Sequence, residues 1–196
     1  MSAKFDINLK LKRRITYSEV VDIISSACHE VDINEVCVID NWSYENQEEI
    51  KIISDKEIDK LLDKGKIIVS YVTLDKSIMG GFYLIYQNGR VIINLWIDTK
   101  TCEYLDCGFV DKSNEKVYKQ IVSWMLHMES KLSIEVCAIG TETDFVYEGS
   151  IRECVEKSMD IVCWILFHNT TVLEIPNYNI RKVNQNYVFW KTFGVK

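Results

Sequence analysis

The sequence predicts an α+β protein with a mixed, mostly antiparallel sheet and about four helices. Three observations predict it. Capping boxes open several helical stretches, runs of β-branched and aromatic residues fill the gaps between them, and an Asn-Gly pair joins two of those runs. The 196 residues carry 47% apolar and 27% charged side chains, a globular balance that excludes a disordered chain. We read residues 1–196 as a single globular domain.

The first strand is Phe5, Ile7, Leu9 and Leu11, apolar positions alternating with polar ones. The basic run Lys10–Arg14 on the same stretch reads as an exposed edge with charged gatekeepers. Thr16-x-x-Glu19 caps a helix with Val20, Ile24, Ala27 and Val31 on one face. Ser54-x-x-Glu57 caps a second, carrying Ile58, Leu61 and Leu62 and stopped by Gly65. A long helix from Ser113 to about Leu132 presents Val117, Ile121, Trp124, Met125 and Met128. Ser150-x-x-Glu153 caps the last helix, with Ile151, Val155 and Met159. Strands are expected at 35–39, 66–74, 82–87, 90–98, 134–139, 161–167, 172–175 and 187–192. Asn88-Gly89 predicts a two-residue hairpin, and Gly80-Gly81 reads as a turn.

The order suggests an internal duplication, about 1–88 and 89–196. Glu35-Val-Cys-Val-Ile39 recurs as Glu135-Val-Cys-Ala-Ile139, and a capping-box helix and then a buried strand follow each copy.

Chemistry-bearing motifs are sparse. There is no phosphate-binding glycine loop, no nucleophile elbow and no paired-histidine zinc helix. The seven cysteines are odd in number and sit mostly in apolar runs, so we expect reduced thiols in a cytoplasm. Cys102 and Cys107 lack ligand-spaced partners, so we expect no metal and no cofactor. No apolar run has the ~18 residues of a membrane span, and a pI near 5.2 argues against a nucleic-acid binder.

Charge is the informative feature. Residues 15–50 hold nine acids and no Lys or Arg, and residues 132–151 hold four acids and no base. Two segments combine acids with aromatics: Asp40, Trp42, Tyr44, Glu45, Glu48 and Glu49 in the first block, and Glu142, Asp144, Tyr147 and Glu148 in the second. Carboxylates steer a basic partner, and aromatics supply desolvated anchors at interfaces. If the duplication holds, the two loops are pseudo-symmetric neighbours on one face.

On those residues the chain resembles, in composition and architecture, the bacterial immunity proteins of polymorphic and contact-dependent toxin systems. The resemblance implies a non-catalytic module that occludes a basic protein partner such as a toxin domain, with those ten residues as the contact. The alternative is a small-molecule-binding protein or enzyme with its site between the two halves.

Overall fold

The structure is a computed structural model that describes residues 4–28, 30–40, 48–49, 54–74, 76–87, 90–101, 105, 108–168 and 173–191. In chain order the elements are β1 (Lys4–Leu11), α1 (Tyr17–Ala27), β2 (Val31–Ile39), β3 (Glu48–Glu49), α2 (Asp55–Asp63), β4 (Ile67–Leu74), β5 (Ile78–Gln87), β6 (Arg90–Asp98), α3 (Glu115–Leu132), β7 (Ile134–Asp144), α4 (Ile151–Lys157), β8 (Met159–Leu166), β9 (Tyr178–Val183) and β10 (Asn186–Lys191). Among the described residues the strands make one ten-stranded sheet, in the order β3-β2-β4-β5-β6-β1-β7-β8-β10-β9. Every described pairing is antiparallel. The α+β expectation therefore holds.

Alternation within the strands builds two layers. Phe5, Ile7, Leu9 and Leu11 face the same side as Ile68, Val72, Phe82 and Leu84, and α1, α2 and α3 cover that side. Tyr17 of α1 reaches down to Ser70 of β4, with the hydroxyls 3.0 Å apart. On the other side, Cys37, Val69, Tyr83 and Trp96 form one apolar cluster, and Val136, Trp164 and Phe189 form another beneath α4. A fully buried aliphatic or aromatic side chain contributes about 1.5–3 kcal/mol, against ~0–1 kcal/mol for an exposed ion pair. Burial on both sides of the sheet therefore holds the fold, and exposed pairs such as Arg13–Glu19 add little.

The capping boxes of α1 and α4 form as read: Thr16 and Ser150 each accept the backbone N–H three residues on, and Glu19 and Glu153 reach back. Ser54 departs from that pattern, because its hydroxyl donates to the Glu57 carboxylate at 3.0 Å and caps no backbone amide. β5 and β6 pair through Gln87↔Arg90, which leaves a two-residue connection where the Asn-Gly pair lies; 88–89 themselves are outside the described residues.

Four expectations are corrected. β1 is no edge: it sits between β6 and β7, and Lys10 is 4% exposed. Gly80 and Gly81 lie inside β5, where a Cβ on Gly81 would stand 2.4 Å from the Ser70 carbonyl oxygen and 2.5 Å from the Trp96 ring. They are strand glycines that admit close neighbours. Val31 starts β2 and is not part of the α1 face, and no strand spans Leu173–Ile175, while β9 forms further on.

The structure does not confirm the sequence repeat. α2 joins β2 to β4 on one side of the sheet, and α4 joins β7 to β8 on the other. The hairpin that follows also attaches differently, through its first strand β5 in one half and its second strand β10 in the other.

Candidate functional site

The antiparallel order fixes which strand ends lie together. Lys4 of β1 pairs with Asp98 of β6, and Phe5 with Thr141 of β7. Val31 of β2 pairs with Leu74, Leu74 with Ile78, and Gly140 with Ile161 of β8. The starts of β1, β2 and β8 and the ends of β6 and β7 thus share one end of the sheet.

That end is acidic. Glu30 and Asp32 lie at the start of β2, Glu142 and Asp144 at the end of β7 and Asp160 at the start of β8, all exposed, with half-buried Asp98 closing β6. Lys4, Lys76 and Lys100 stand among them, and Lys76 pairs with Glu30 at 3.1 Å. From β2 to β8 the acids span six strand spacings, about 29 Å. The opposite end gathers Lys12, Arg13 and Arg14 after β1 and Lys64 and Lys66 before β4. There Arg13, Arg14 and Lys66 are paired with Glu19, Asp63 and Asp40.

Behind the acidic end lies a polar strip. Residues 4, 6, 8 and 10 of β1 face the side bearing α4, between its two apolar clusters. Asn8, 2% exposed, is the hub. Its carbonyl oxygen accepts from Asn94 Nδ2 at 2.8 Å and from the Tyr147 hydroxyl at 2.7 Å, and its amide donates to Thr143 Oγ1 at 2.7 Å. The Asp6 carboxylate accepts the Thr143 N–H at 3.0 Å. Burial pushes the Asp6 pKa above its ordinary value, opposed by the Thr143 amide, Asn94 and Lys4, while Glu142 pushes it further up. The Tyr147 hydroxyl is likewise driven up, chiefly by burial. With Asn94 Nδ2 turned toward Asn8, its Oδ1 is buried without a hydrogen-bond donor.

A bulge delivers Thr143 to this strip. Gly140 pairs with Ile161 and Asp144 with Met159, so three β7 residues face the single Asp160. Glu142 and Asp160 both take positive φ there, 50° and 59°. Gly140 permits the approach, because a Cβ on it would stand 2.3 Å from the Asp160 carbonyl oxygen. Further along β1, the Lys10 ammonium donates to the Gly149 carbonyl at 2.5 Å and lies 3.4 Å from Cys154 Sγ and 3.8 Å from Glu135.

The sequence-predicted residues divide. Glu142, Asp144 and Glu148 are exposed, but Tyr147 turns inward, packing edge-on to Phe145 at 4.5 Å with its hydroxyl on Asn8. Asp40 closes β2 at the opposite end and pairs with Lys66. The backbone of Glu48 and Glu49 pairs with β2 as the sheet-edge strand β3. Trp42, Tyr44 and Glu45 lie outside the described residues. Among the described residues, Asp40, Glu48 and Glu49 do not join 141–148 in one face. β2 and β7 run antiparallel with four strands between them, so the segments leave from opposite ends of the sheet.

Sequence reasoning missed Asp6, Asn8 and Asn94. Their signal was present: polar side chains at alternate positions of β1 and β6 are costly in a central strand unless they bond one another.

Among the described residues no group of His, Cys, Asp and Glu could hold a metal ion. Cys137 and Cys163 are fully buried and their thiols are pushed up by that burial, which disfavours the nucleophilic thiolate. His168 is exposed and engaged by Glu129 at 2.7 Å and Gln185 at 3.2 Å. No helix among the described residues is long and apolar enough to cross a membrane.

No protein-family model matches the chain, and no curated protein matches it. Among solved structures the chain is similar to the Pseudomonas aeruginosa T6SS protein PA0821, with a TM-score of 0.41 and 6% identity over 96% of this chain. The chain spans 64% of that protein's length.

Proposed function

We propose that the protein is a non-catalytic binding module that occludes a basic protein partner, such as a toxin domain, in the manner of an immunity protein. One observation carries the reading. Glu30, Asp32, Asp98, Glu142, Asp144 and Asp160, distant in sequence, share one end of the sheet. A rim about 29 Å wide on which six acids outnumber three lysines suits one side of an ordinary protein interface. Its field raises encounter rates with a basic surface by ~10–10³ at low salt, and screening over ~8 Å removes most of that gain at physiological salt. In this reading Glu142 and Asp144 pair with Lys or Arg of the partner. In the same reading Asp40, Glu48 and Glu49, at the opposite end, make a separate contact together with Trp42, Tyr44 and Glu45, which lie outside the described residues.

The test is capture of partners on the immobilised protein at low and moderate salt, with the variant Asp32→Asn/Glu142→Gln/Asp144→Asn alongside. The expected result is one basic partner, lost as salt rises, whose association with the variant is about tenfold slower at low salt. The partner's own activity should fall on binding. An unchanged association rate at low salt refutes the reading.

A small-molecule site between the halves is the second reading. It is favoured by the polar strip where β1, of residues 1–88, lies between β6 and β7 of 89–196 and Asn94 Oδ1 is buried without a donor. Thermal-shift screening of donor-bearing amines and amides tests it, because a true ligand's shift must vanish in Asn94→Leu.

A further inference from the structure

A second surface has the opposite character. Where α3 runs alongside the sheet margin, two adjoining cavities of about 390 and 190 Å³ open between α3 and β9, over β10. Lys119, Arg181 and half-buried Trp190 line both, so they are chambers of one trough. On the α3 side the lining runs from Glu115 to Leu126, and on the β9 side from Asn179 to Val183. At 1.5 Å per helical residue and ~3.3 Å per strand residue, both walls are roughly 13–16 Å long. That length holds four or five residues of extended chain. A compact small molecule would fill the larger chamber alone.

The charge selects the occupant. The lining carries three cations, Lys112, Lys119 and Arg181, against two acids: Glu115 is paired with Lys119 at 2.7 Å, and Asp111 stays ionised, turned onto the backbone N–H of Ser113 at 2.8 Å. The Asp111 carboxyl is kept below its ordinary range by the Ser113 hydrogen bonds. Lys112 and Arg181 line the trough and have no ion-pair partner among the described residues. A chain of net charge −6 thus presents, among its described residues, cations without an ion-pair partner beside an indole here, opposite in sign to its acidic end.

We propose that this trough binds an extended acidic segment of a partner protein. Arg181 and Lys112 pair with its carboxylates, and Trp190 takes an apolar side chain between them. The site is independent of the acidic end and stands whether or not that end binds a basic partner.

The experiment uses the full chain and two fluorescein-labelled hexapeptide pools. In one, Glu or Asp alternates with Leu, Val or Phe, and in the other Lys alternates with the same residues. Binding is read by anisotropy, with far-UV circular dichroism confirming the fold of each variant. The acidic pool should bind about tenfold tighter than the lysine pool, and Arg181→Glu should weaken it about tenfold. Lys182→Glu makes the same change of net charge on the other side of β9, where its ammonium lies 5.8 Å from the Tyr187 ring centre, and should leave binding unchanged. Three outcomes overturn the proposal. They are equal binding of the two pools, equal losses in Arg181→Glu and Lys182→Glu, and displacement of the peptide by free glutamate or citrate at comparable concentration.

Discussion

Replacing Asn8 with Ala tests the polar strip directly. The side chain is 2% exposed and makes three hydrogen bonds, at 2.8 Å to Asn94, 2.7 Å to Tyr147 and 2.7 Å to Thr143. Its removal strands a buried donor on Asn94, a tyrosine hydroxyl and a threonine oxygen. Stranded buried partners cost about 1–3 kcal/mol each, and water entering the gap recovers part of that. The expected loss is about 3–5 kcal/mol, a large fraction of the ~5–15 kcal/mol that holds a typical domain. Urea unfolding followed by circular dichroism reads it as a midpoint lower by about 1.5–2.5 M, for a slope of ~2 kcal/mol/M. Tyr147→Phe in both backgrounds closes a double-mutant cycle. It should cost about 1 kcal/mol more in the wild type than beside Asn8→Ala, because its partner is already gone there. A loss under about 1 kcal/mol for Asn8→Ala, with strict additivity to Tyr147→Phe, would refute the network as the organiser of β6, β1 and β7.

Gly81→Ala should destabilise by about 3 kcal/mol or more, since its Cβ meets a backbone oxygen at 2.4 Å, whereas Gly108→Ala, with open space around it, should be near neutral in the same urea assay. Thr16→Ala and Ser150→Ala should each cost about 1 kcal/mol as lost caps, and Ser54→Ala, whose hydroxyl caps no amide, should cost clearly less in thermal unfolding. Asp6 should make stability fall as pH rises. Its folded pKa lies above the ordinary 3.8, so the folded state holds the proton more tightly and its stabilisation is lost as pH climbs from that value through the raised one. Urea curves of Asp6→Asn and wild type at pH 4 and 7 should therefore diverge in the variant's favour at pH 7, and divergence the other way would contradict the burial argument.

Features written in contiguous residues were readable in the chain. The Thr16 and Ser150 capping boxes, the alternation of Phe5 to Leu11 and the Asn88-Gly89 spacing each depend on neighbours a few positions apart. What depends on pairing was not readable. Lys10 made β1 look like an edge, because a buried lysine is intelligible only once Gly149, Cys154 and Glu135 are known to surround it. β9 alternates only over Tyr178–Arg181 before Lys182 and Val183 break the pattern, too short a signal to announce it, and it is held in place by its register with β10. The acids were visible as a composition, but strand direction decides which of them meet. It put Asp32 at the same end of the sheet as Glu142 and Asp144 and sent Asp40 to the far end.

The position of β1 sets an order of events during synthesis. Its two neighbours, β6 and β7, lie more than 80 and more than 120 residues further along the chain. At ~5–20 residues per second, the ribosome takes roughly seven to twenty-six seconds to travel from Lys4 to Ile134. Until β6 emerges Phe5, Ile7 and Leu9 have no sheet to join, and the other edge of β1 stays unpaired until β7 follows. β2, β4, β5 and β6 can zip together earlier, but closing β1 between the two wings is a long-range step that keeps the chain slow and open to chaperone capture until β7 emerges. A strand whose two partners arrive so far apart makes enclosure of β1 a checkpoint on the chain from Lys4 to β7.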